Sequence, residues 1–222
     1  PILPAGPYAP AGNVSSIDFG SISAGEGGRA IDFPPVTTAP ASGLRAFTIA
    51  GWINLQSTTI GSGGNRIISC YVGGSTGTLG TDRQRGFDLV QVANSSASAT
   101  GARLRIGINA APDQDATGPY SSNNKLTAVG DGSTPANNWV FFAVTYDART
   151  DASNDGQVRY YFGNANTLAT LDTGVGTSGV QTYDRGAIVD PGIGCTIGNF
   201  STSSALTSAR NDTANSRVLR GL

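Results

Sequence analysis

Histidine and methionine are missing from this chain of 222 residues, and lysine and glutamate occur once each, as Lys125 and Glu26. Without histidine there is no Ser-His-Asp or Cys-His catalytic arrangement and no zinc site that uses an imidazole. Glu26 lies in a Gly-rich turn, and the strand aspartates Asp88 and Asp147 stand alone, so the paired carboxylates of most glycosidases have few candidates. We therefore predict that the protein is not an enzyme.

Charge is also scarce, since 13% of the residues are charged and the formal net charge is −1. Nucleic acids and anionic membranes bind basic surfaces, so this balance favours neither as a partner. No apolar run reaches the roughly 18 residues that a membrane-spanning helix needs. What is plentiful is glycine, with 31 residues, together with 11 prolines. This composition is typical of short strands joined by polar loops, and its uniformity along the chain predicts one all-β domain.

The longest apolar run covers residues 137–147 and consists mostly of β-branched and aromatic residues between two polar loops. A run of this kind predicts a strand that is buried on both faces. Because side chains alternate along a strand, Val140 and Phe142 fall on one face and Trp139 and Phe141 on the other. We predict a mostly buried position for seven side chains of this strand and its neighbours: Ile49, Trp52, Trp139, Phe141, Phe142, Val144 and Tyr160.

Shorter runs with a period of two predict the other strands, at residues 17–19, 29–33, 46–55, 66–72, 86–93, 103–110, 157–162 and 194–200. In the 103–110 run, leucine and isoleucine alternate with Arg103, Arg105 and Asn109, which predicts one buried face and one solvent-facing face. Gly51, in mid-strand, indicates close packing of a neighbour or a bulge. Since no segment has a 3.6-residue apolar period, the pattern is typical of a β-sandwich or barrel with almost no helix.

Cys70 and Cys195 each lie within an apolar run that is predicted to be a strand. They either form a disulfide in an oxidising compartment or remain two buried thiols that pack as small apolar groups. A bridge requires the two strands to be neighbours, which spacing along the chain does not determine.

A candidate metal site follows the long apolar run, where Asp147, Asp151, Asn154 and Asp155 place four oxygen-bearing side chains within nine residues. Ca²⁺ takes about six to eight oxygen ligands from such groups, so the loop is a candidate calcium site. The alternative is a hairpin loop in which the same side chains bond their own backbone.

Candidate ligand-binding residues are the tyrosines that can stack on a sugar, with arginines as polar partners. We single out Tyr120 and Tyr183 with Arg103 and Arg105, and we note Tyr161 as a weaker candidate. The alternative is that these tyrosines cover the edge of the core, and for Tyr161 this alternative is favoured.

The order of the strands resembles a known family. The matching segments are FTIAGWI at 47–53, RIIS at 66–69, GFDL at 86–89, LRI at 104–106, NWVFFAVTYD at 138–147, VRYYFG at 158–163 and TIGN at 196–199. They are similar to the laminin-G-like, concanavalin A-like jelly-roll domains of bacterial extracellular proteins, and Trp-x-x-x-Ala-x-Thr-Tyr-Asp at 139–147 is the most specific of them. The resemblance covers residues 29–222 and implies a two-sheet antiparallel sandwich.

Residues 1–16 contain four prolines and little periodicity and are predicted to be an extended arm, which has no counterpart in the family. Residues 17–222 are predicted to form one domain. The resemblance also implies calcium near the loops and a non-catalytic extracellular role in glycan recognition or adhesion. A polysaccharide-active enzyme is a lesser alternative.

The family's closing strand would begin at residues 217–222, where this sequence stops, so either the sequence is truncated or another segment takes the place of that strand. If a neighbouring copy supplies it, the chain has a second role as a self-assembling filament or surface-layer subunit. In that role residues 14–19 would supply a strand to a neighbouring copy, because an open sheet edge invites strand addition. The alternative is that the arm folds back onto its own sheet.

Overall fold

The computed structural model describes residues 2–4, 15–17, 31–33, 43–54, 65–73, 84–93, 102–109, 118–122, 125–128, 139–148, 156–164, 166–189 and 195–198. Its elements in chain order are β1 (Ile2–Pro4), β2 (Ser15–Ile17), β3 (Ile31–Phe33), β4 (Ala46–Asn54), β5 (Asn65–Gly73), β6 (Gln84–Ala93), β7 (Ala102–Ile108), α1 (Lys125–Ala128), β8 (Trp139–Asp147), β9 (Gln157–Asn164), β10 (Thr170–Leu171), β11 (Gln181–Thr182) and β12 (Cys195–Ile197).

Two larger antiparallel sheets contain most of the described strands. The β8 sheet has the order β10-β9-β8-β4, with β11 also pairing with β9, and the β6 sheet has the order β3-β12-β5-β6-β7. In the described part of the chain the only helix is the single turn α1. This confirms the predicted all-β, two-sheet antiparallel sandwich. Within the same residues, no helix is long and apolar enough to span a bilayer.

The core lies between the two sheets. Val140, Phe142 and Val144 on β8 face the β6 sheet and are 0 to 3% exposed. Leu89 and Ile106 approach them from the β6 sheet and are fully buried. Each such side chain contributes about 1.5 to 3 kcal/mol to folding by leaving water, so these two inner faces hold the sandwich together.

The prediction that β8 is buried on both faces is wrong. Its exposure alternates strictly, so that Phe142 is buried whereas Trp139 and Phe141 are half-buried. Trp52, opposite Phe141 on β4, is also half-buried, as is Ile49. Trp52, Trp139 and Phe141 lie on the outer face, and only the inner face of the β8 sheet packs against the β6 sheet. Ile49 faces inward but lies on β4, the edge strand of its sheet in the described part of the chain.

The prediction of a solvent-facing side on β7 is also wrong. Arg105, on the face of β7 that points away from the core, is 6% exposed, and Asn109, just after the end of β7, is 3% exposed. On the same outer face of the β6 sheet, Arg66 and Asp88 form an ion pair of 3.4 Å. Their side chains are 1% and 0% exposed. Most of the described polar side chains on this face are therefore enclosed, whereas Arg103 on the same face is half-buried.

The free edge of β7 is closed by hydroxyl groups. The backbone N–H groups of Leu104, Ile106 and Ile108 donate to the hydroxyl oxygens of Ser121 at 2.9 Å, Tyr160 at 3.2 Å and Tyr183 at 3.2 Å, respectively. Buried backbone donors need partners, and an edge strand has no strand neighbour on one side to supply them. Hydroxyl groups from β9, from the segment between β7 and α1 and from the residue after β11 thus take the place of a neighbouring strand.

Gly51 behaves as one of its two predicted alternatives. The β4–β8 register runs without a break through Gly51, which lies opposite Phe142. The ring of Phe142 comes within 3.5 Å of the point where a Cβ on Gly51 would lie. The ring of Phe142 therefore packs on Gly51 at an ordinary van der Waals distance, which would also accommodate a Cβ, and no bulge lies here. The described sheets have a register shift between Arg66 and Ile68 on β5.

The predicted strand donor pairs within its own chain. Residues Ser15–Ile17 form an antiparallel pair with Ile2–Pro4, in which Ile17 lies opposite Ile2. This two-stranded sheet is separate from the two larger ones. The remainder of the predicted arm, and the predicted closing region at 217–222, lie outside the described residues.

Candidate functional site

A surface cavity of about 440 Å³ lies on the outer face of the β8 sheet. Its volume falls within the range of roughly 300 to 1,000 Å³ that is usual for small-molecule sites. The cavity is lined by two aromatic side chains and by the loop between β9 and β10, namely Trp52, Phe141, Asn164, Asn166, Thr167, Leu168 and Ala169. We call these seven residues the aromatic pocket.

Strand register places the aromatic floor of the pocket. Trp52 on β4, Phe141 on β8 and Gly163 on β9 lie directly opposite one another in adjacent strands. Side chains opposite one another in a sheet point to the same face, so the two rings are neighbours. Their centroids are 5.5 Å apart and their planes meet at 66°, an edge-to-face arrangement.

Gly163 makes room for the wall of the pocket. A Cβ at this position would lie 2.8 Å from the backbone nitrogen of Ala169 and 2.9 Å from the carbonyl oxygen of Thr167. A side chain of any other kind would push the loop off the sheet. The absence of a side chain at Gly163 therefore lets the β9–β10 loop fold over the strand next to Phe141.

The loop itself is held by Asn164. Its side-chain Oδ1 accepts hydrogen bonds from the backbone N–H groups of Asn166 and Thr167, both at 2.8 Å. The backbone N–H of Asn164 donates to the Thr167 carbonyl at 3.1 Å. This is the Asx-turn arrangement that asparagine favours. It fixes Asn166, Thr167 and Leu168 in exposed positions at the rim, where Leu168 is 91% exposed.

A second cluster contains three of the sequence-predicted ligand residues. The guanidinium carbon of Arg103 lies 3.8 Å from the centroid of the Tyr120 ring, and that of Arg105 lies 4.5 Å from it. Tyr120 also forms an isolated β-bridge with Arg105. Burial lowers the pKa of Arg103, with the charge of Arg105 acting in the same direction. We call Arg103, Arg105 and Tyr120 the arginine–tyrosine cluster.

The segment that carries Tyr120 is anchored from both sides. Ser121 donates its backbone N–H to the Leu104 carbonyl at 2.9 Å. Ser122 donates its N–H and its hydroxyl to the Asp172 carboxylate, both at 2.7 Å. Lys125 adds an ion pair of 3.6 Å to Asp172, which is buried. The sequence did not point to Asp172, because its partners are about 50 residues away along the chain.

Tyr183 lies apart from this cluster and does not present its ring as a stacking surface. It is 3% exposed, and its hydroxyl accepts the N–H of Ile108. Its ring meets that of Tyr146 edge-on, with the centroids 6.4 Å apart. Tyr183 therefore covers the edge of the core, as in the alternative given for these tyrosines, and it is not part of the candidate site.

Of the four predicted calcium ligands, the structure describes only Asp147. Asp147 is the last residue of β8, opposite Ala46 and Gln157, whereas Asp151, Asn154 and Asp155 lie outside the described residues. In the described ranges, no three acidic, histidine or cysteine side chains gather in a way that could hold a metal ion. Calcium binding therefore stays a prediction.

Cys70 and Cys195 lie on neighbouring strands. On β12 and β5, Thr196 is opposite Ser69 and Ile197 is opposite Ile68, so the same register puts Cys195 opposite Cys70. Both are reduced in this structure, with Cys70 buried and Cys195 half-buried. A hydrogen bond from Cys70 lowers the pKa of Cys195, although burial opposes this effect. The predicted bridge is unformed here, and it stays a prediction.

Comparisons of the chain with protein-family models, with curated proteins and with solved structures found no match. Its function therefore has to be inferred from the chemistry of its own residues.

Sequence reasoning missed the aromatic pocket because it assigned Trp52 and Phe141 to the core. Two signals in the sequence point to it in retrospect. Trp52 and Phe141 have the strand parity opposite to that of the core residues, and the stretch Asn164–Leu168 reads N-A-N-T-L after a glycine. A glycine followed by Asn and Thr is typical of a fixed turn.

Proposed function

We propose that this protein is a non-catalytic extracellular carbohydrate-recognition domain with a laminin-G-like, concanavalin A-like jelly roll, and that the sugar binds in the aromatic pocket. One observation carries the proposal. A half-buried Trp52–Phe141 pair lies beside an amide- and hydroxyl-bearing loop, in a cavity of about 440 Å³.

The chemistry of the pocket suits a neutral sugar. A sugar ring has an apolar face of C–H groups, which packs on an aromatic ring, and a rim of hydroxyls, which need donors and acceptors. Trp52 and Phe141 supply the apolar surface, and aromatic side chains that keep part of their surface in solvent are typical of binding sites. Asn166 and Thr167 supply one amide and one hydroxyl at the rim. The pocket lining contains no charged side chain.

The same lining supports a binding role over catalysis. Hydrolysis of a glycosidic bond needs two carboxyl groups on either side of it, and the pocket lining has none. The buried carboxylates of Asp88 and Asp172 lie elsewhere, where Arg66 and Lys125 pair with them. Neither is positioned by this structure to act on a ligand in the aromatic pocket.

A glycan array followed by titration calorimetry tests the proposal. We expect Phe141→Ala and Trp52→Ala to weaken binding of a hit by about tenfold or more, since each removes half of the stacking surface. Tyr161→Ala is the matched control, because Tyr161 is a half-buried aromatic on the same face that does not line the pocket. Equal affinity in all four proteins would refute the site, and release of reducing ends from a bound polysaccharide would refute the non-catalytic assignment.

Assembly through an open sheet edge is the second candidate function, and β4 is the observation that favours it. In the described part of its sheet, β4 pairs with β8 alone. Its inward-facing Phe47 and Ile49 are half-buried, and Thr48 and Ala50 are exposed. Residues on an interior strand of the same sheet are far more enclosed, as Val144 opposite Ile49 is fully buried.

The occupant that we propose for this edge is a strand from a second copy of the chain. Strand addition on β4 would complete the cover over Phe47 and Ile49 and generate a filament if each copy both gives and receives a strand. Sedimentation velocity across a concentration series provides the test. We expect concentration-dependent growth that Thr48→Lys suppresses, since lysine on an edge strand opposes pairing. A monomer at every concentration would exclude assembly.

A further inference from the structure

We infer that the arginine–tyrosine cluster binds an oxyanion, either the carboxylate group of an acidic saccharide or a free inorganic oxyanion. The inference does not depend on the aromatic pocket, whose lining residues are all different.

Two positive charges lie close together in this cluster. Arg103 and Arg105 are two residues apart on the same face of β7, and both guanidinium groups lie against the one ring of Tyr120. The ring offsets part of the repulsion, because the face of an aromatic ring carries negative charge. A neutral phenol does not cancel two charges.

Arg105 is buried. The side chain is 94% buried by its relative exposure of 6%, and its Nε is enclosed without a hydrogen-bond partner. Its guanidinium lies so close to Gly118 that a Cβ there would be 2.8 Å from both Nε and Nη2. An ionised group that is removed from water without a partner costs several kcal/mol unless an opposite charge offsets the loss.

Within the described part of the chain, the arginine–tyrosine cluster has no acidic partner that would offset its positive charge. Among the described residues, Asp88 pairs with Arg66 and Asp172 pairs with Lys125, and neither Arg103 nor Arg105 forms an ion pair with an acidic side chain. Arg103 is half-buried, so the cluster is open to solvent on its side. Guanidinium groups bind carboxylate, sulfate and phosphate oxygens through paired N–H donors, and an oxyanion beside Arg103 would supply the charge that the cluster lacks.

The experiment follows anion binding by NMR at constant ionic strength, with sodium sulfate and sodium glucuronate as probes and with sodium chloride and glucose as references. We expect the Nε–H signals of the cluster to shift with both oxyanions, with Kd values in the millimolar range or below, and not with glucose. Arg103→Gln should weaken binding by about tenfold or more, since one of two charged donors is lost. Arg159→Gln, a half-buried arginine on the outer face of the β8 sheet, is the matched control.

The arms separate the two sources of the anion. Tighter binding of glucuronate than of sulfate identifies an acidic saccharide, and the reverse order identifies a free inorganic oxyanion. If Arg105 variants fail to fold, Arg103→Gln and Arg103→Lys still decide the matter, because Arg103 is the more exposed of the two. Identical shifts in wild type and Arg103→Gln would overturn the inference.

A separate observation supports a second inference, that Cys70 and Cys195 form a reversible disulfide between β5 and β12. Directly opposed residues of an antiparallel pair have Cα atoms about 4.5 to 5.5 Å apart, which lies within the range that a disulfide spans. Cys195 is half-buried, so part of it is accessible to a reagent, whereas Cys70 on the neighbouring strand is fully buried. The lowered pKa of Cys195 favours the thiolate that begins the exchange.

The oxidant in this reaction is a low-molecular-weight disulfide. The Cys195 thiolate attacks one of its sulfurs and releases one thiolate, and Cys70 then displaces the second from the mixed disulfide. The two cysteines lose two electrons and two protons, the small disulfide gains the electrons, and the protons end on the two thiols released.

Incubation of the full chain with oxidised glutathione tests this inference. We expect no thiol that reacts with Ellman's reagent after denaturation, a mass lower by two hydrogen atoms, and a rise in Tm that dithiothreitol reverses. Cys70→Ser should instead trap a glutathione adduct on Cys195, and Cys195→Ser should remain unmodified. Two titratable thiols in the treated wild type, or a stable adduct on Cys195 in place of the bond, would disprove the pairing.

Discussion

The outer faces of the two sheets are built from opposite kinds of side chain. The outer face of the β8 sheet carries Trp52, Trp139 and Phe141, which are aromatic and half-buried. The outer face of the β6 sheet carries Arg66 and Asp88, which are charged and have 1% or less of their side chains exposed. The aromatic side chains are thus partly exposed to solvent and the charged side chains are buried, which is the reverse of the usual distribution.

This inversion indicates where function and stability lie. Leaving an aromatic side chain partly in water forfeits part of the roughly 1.5 to 3 kcal/mol that its full burial would contribute. Burying an ion pair is itself close to neutral or unfavourable against an apolar pair of the same shape. The aromatic pocket therefore gives up some stability at an exposed site, which suits binding. The charged face is tied into the structure, apart from the arginine–tyrosine cluster, which lacks an opposite charge.

The largest effect that we expect distinguishes two adjacent phenylalanines. Phe142→Ala removes a core side chain and should lower the free energy of unfolding by about 3 to 5 kcal/mol. Phe141→Ala, on the half-buried outer face, should lower it by less than half as much. Chemical denaturation of both variants gives the comparison. Equal losses would mean that the outer aromatic face is as tightly enclosed as the core.

Asp88 tests the charged face. Asp88→Ala leaves Arg66 buried without this partner, and we expect a loss of about 3 to 5 kcal/mol at the upper end and a smaller loss if Arg66 finds water. Asp184→Ala, at an exposed carboxylate, should change stability by about 0.5 kcal/mol or less. Thermal melts at low and high salt provide the measurement. A small effect at Asp88 would show that solvent reaches this face.

Tyr160 tests the closure of the β7 edge. Its hydroxyl accepts the N–H of Ile106 at 3.2 Å and donates to the Pro119 carbonyl at 2.8 Å. Tyr160→Phe leaves both backbone groups buried and unpaired, so we expect a loss of about 1 to 3 kcal/mol. Tyr161→Phe, on the outer face, should have almost no effect. Faster hydrogen exchange at Ile106 in the first variant alone would locate the damage at this edge.

Alkaline pH should lower the free energy of unfolding through two buried tyrosines. Burial raises the pKa of Tyr146 from its ordinary value of 10.0 to about 12, and it also raises the pKa of Tyr160. Because the folded pKa of Tyr146 is the higher one, its contribution to stability is fully present below pH 10.0 and is lost as the pH rises toward about 12. Melts between pH 8 and pH 12 should therefore show a steeper fall in wild type than in Tyr146→Phe. Parallel curves would contradict the raised pKa.

Calcium has the smallest expected effect. If the loop after Asp147 binds Ca²⁺ as weakly as extracellular modules do, millimolar calcium stabilises the protein by only about 0.4 to 1.4 kcal/mol. Chelation should then lower the Tm slightly, and the double variant Asp151→Ala with Asp155→Ala should abolish the change. A Tm that does not respond to chelator would favour the hairpin-loop alternative.

Much of the secondary structure could be predicted from the residues alone. The strand at 139–147 and its neighbours follow from β-branched and aromatic runs between breakers, because backbone preference and side-chain alternation are local properties. The pairing of Cys195 with Cys70 could not be foreseen, because neighbouring strands in a sheet need not be neighbours in the chain.

The exposure of individual side chains was decided by the tertiary structure. Alternation identifies two faces of a strand but not what covers each of them, so Phe141 was assigned to the core and Arg105 to solvent, and both assignments were wrong. Strand register brought Trp52, Phe141 and Gly163 into one row, and the Asn164 turn then completed the aromatic pocket. Which residues are strands is written in short-range sequence, whereas which residues meet depends on contacts between segments that are tens of residues apart.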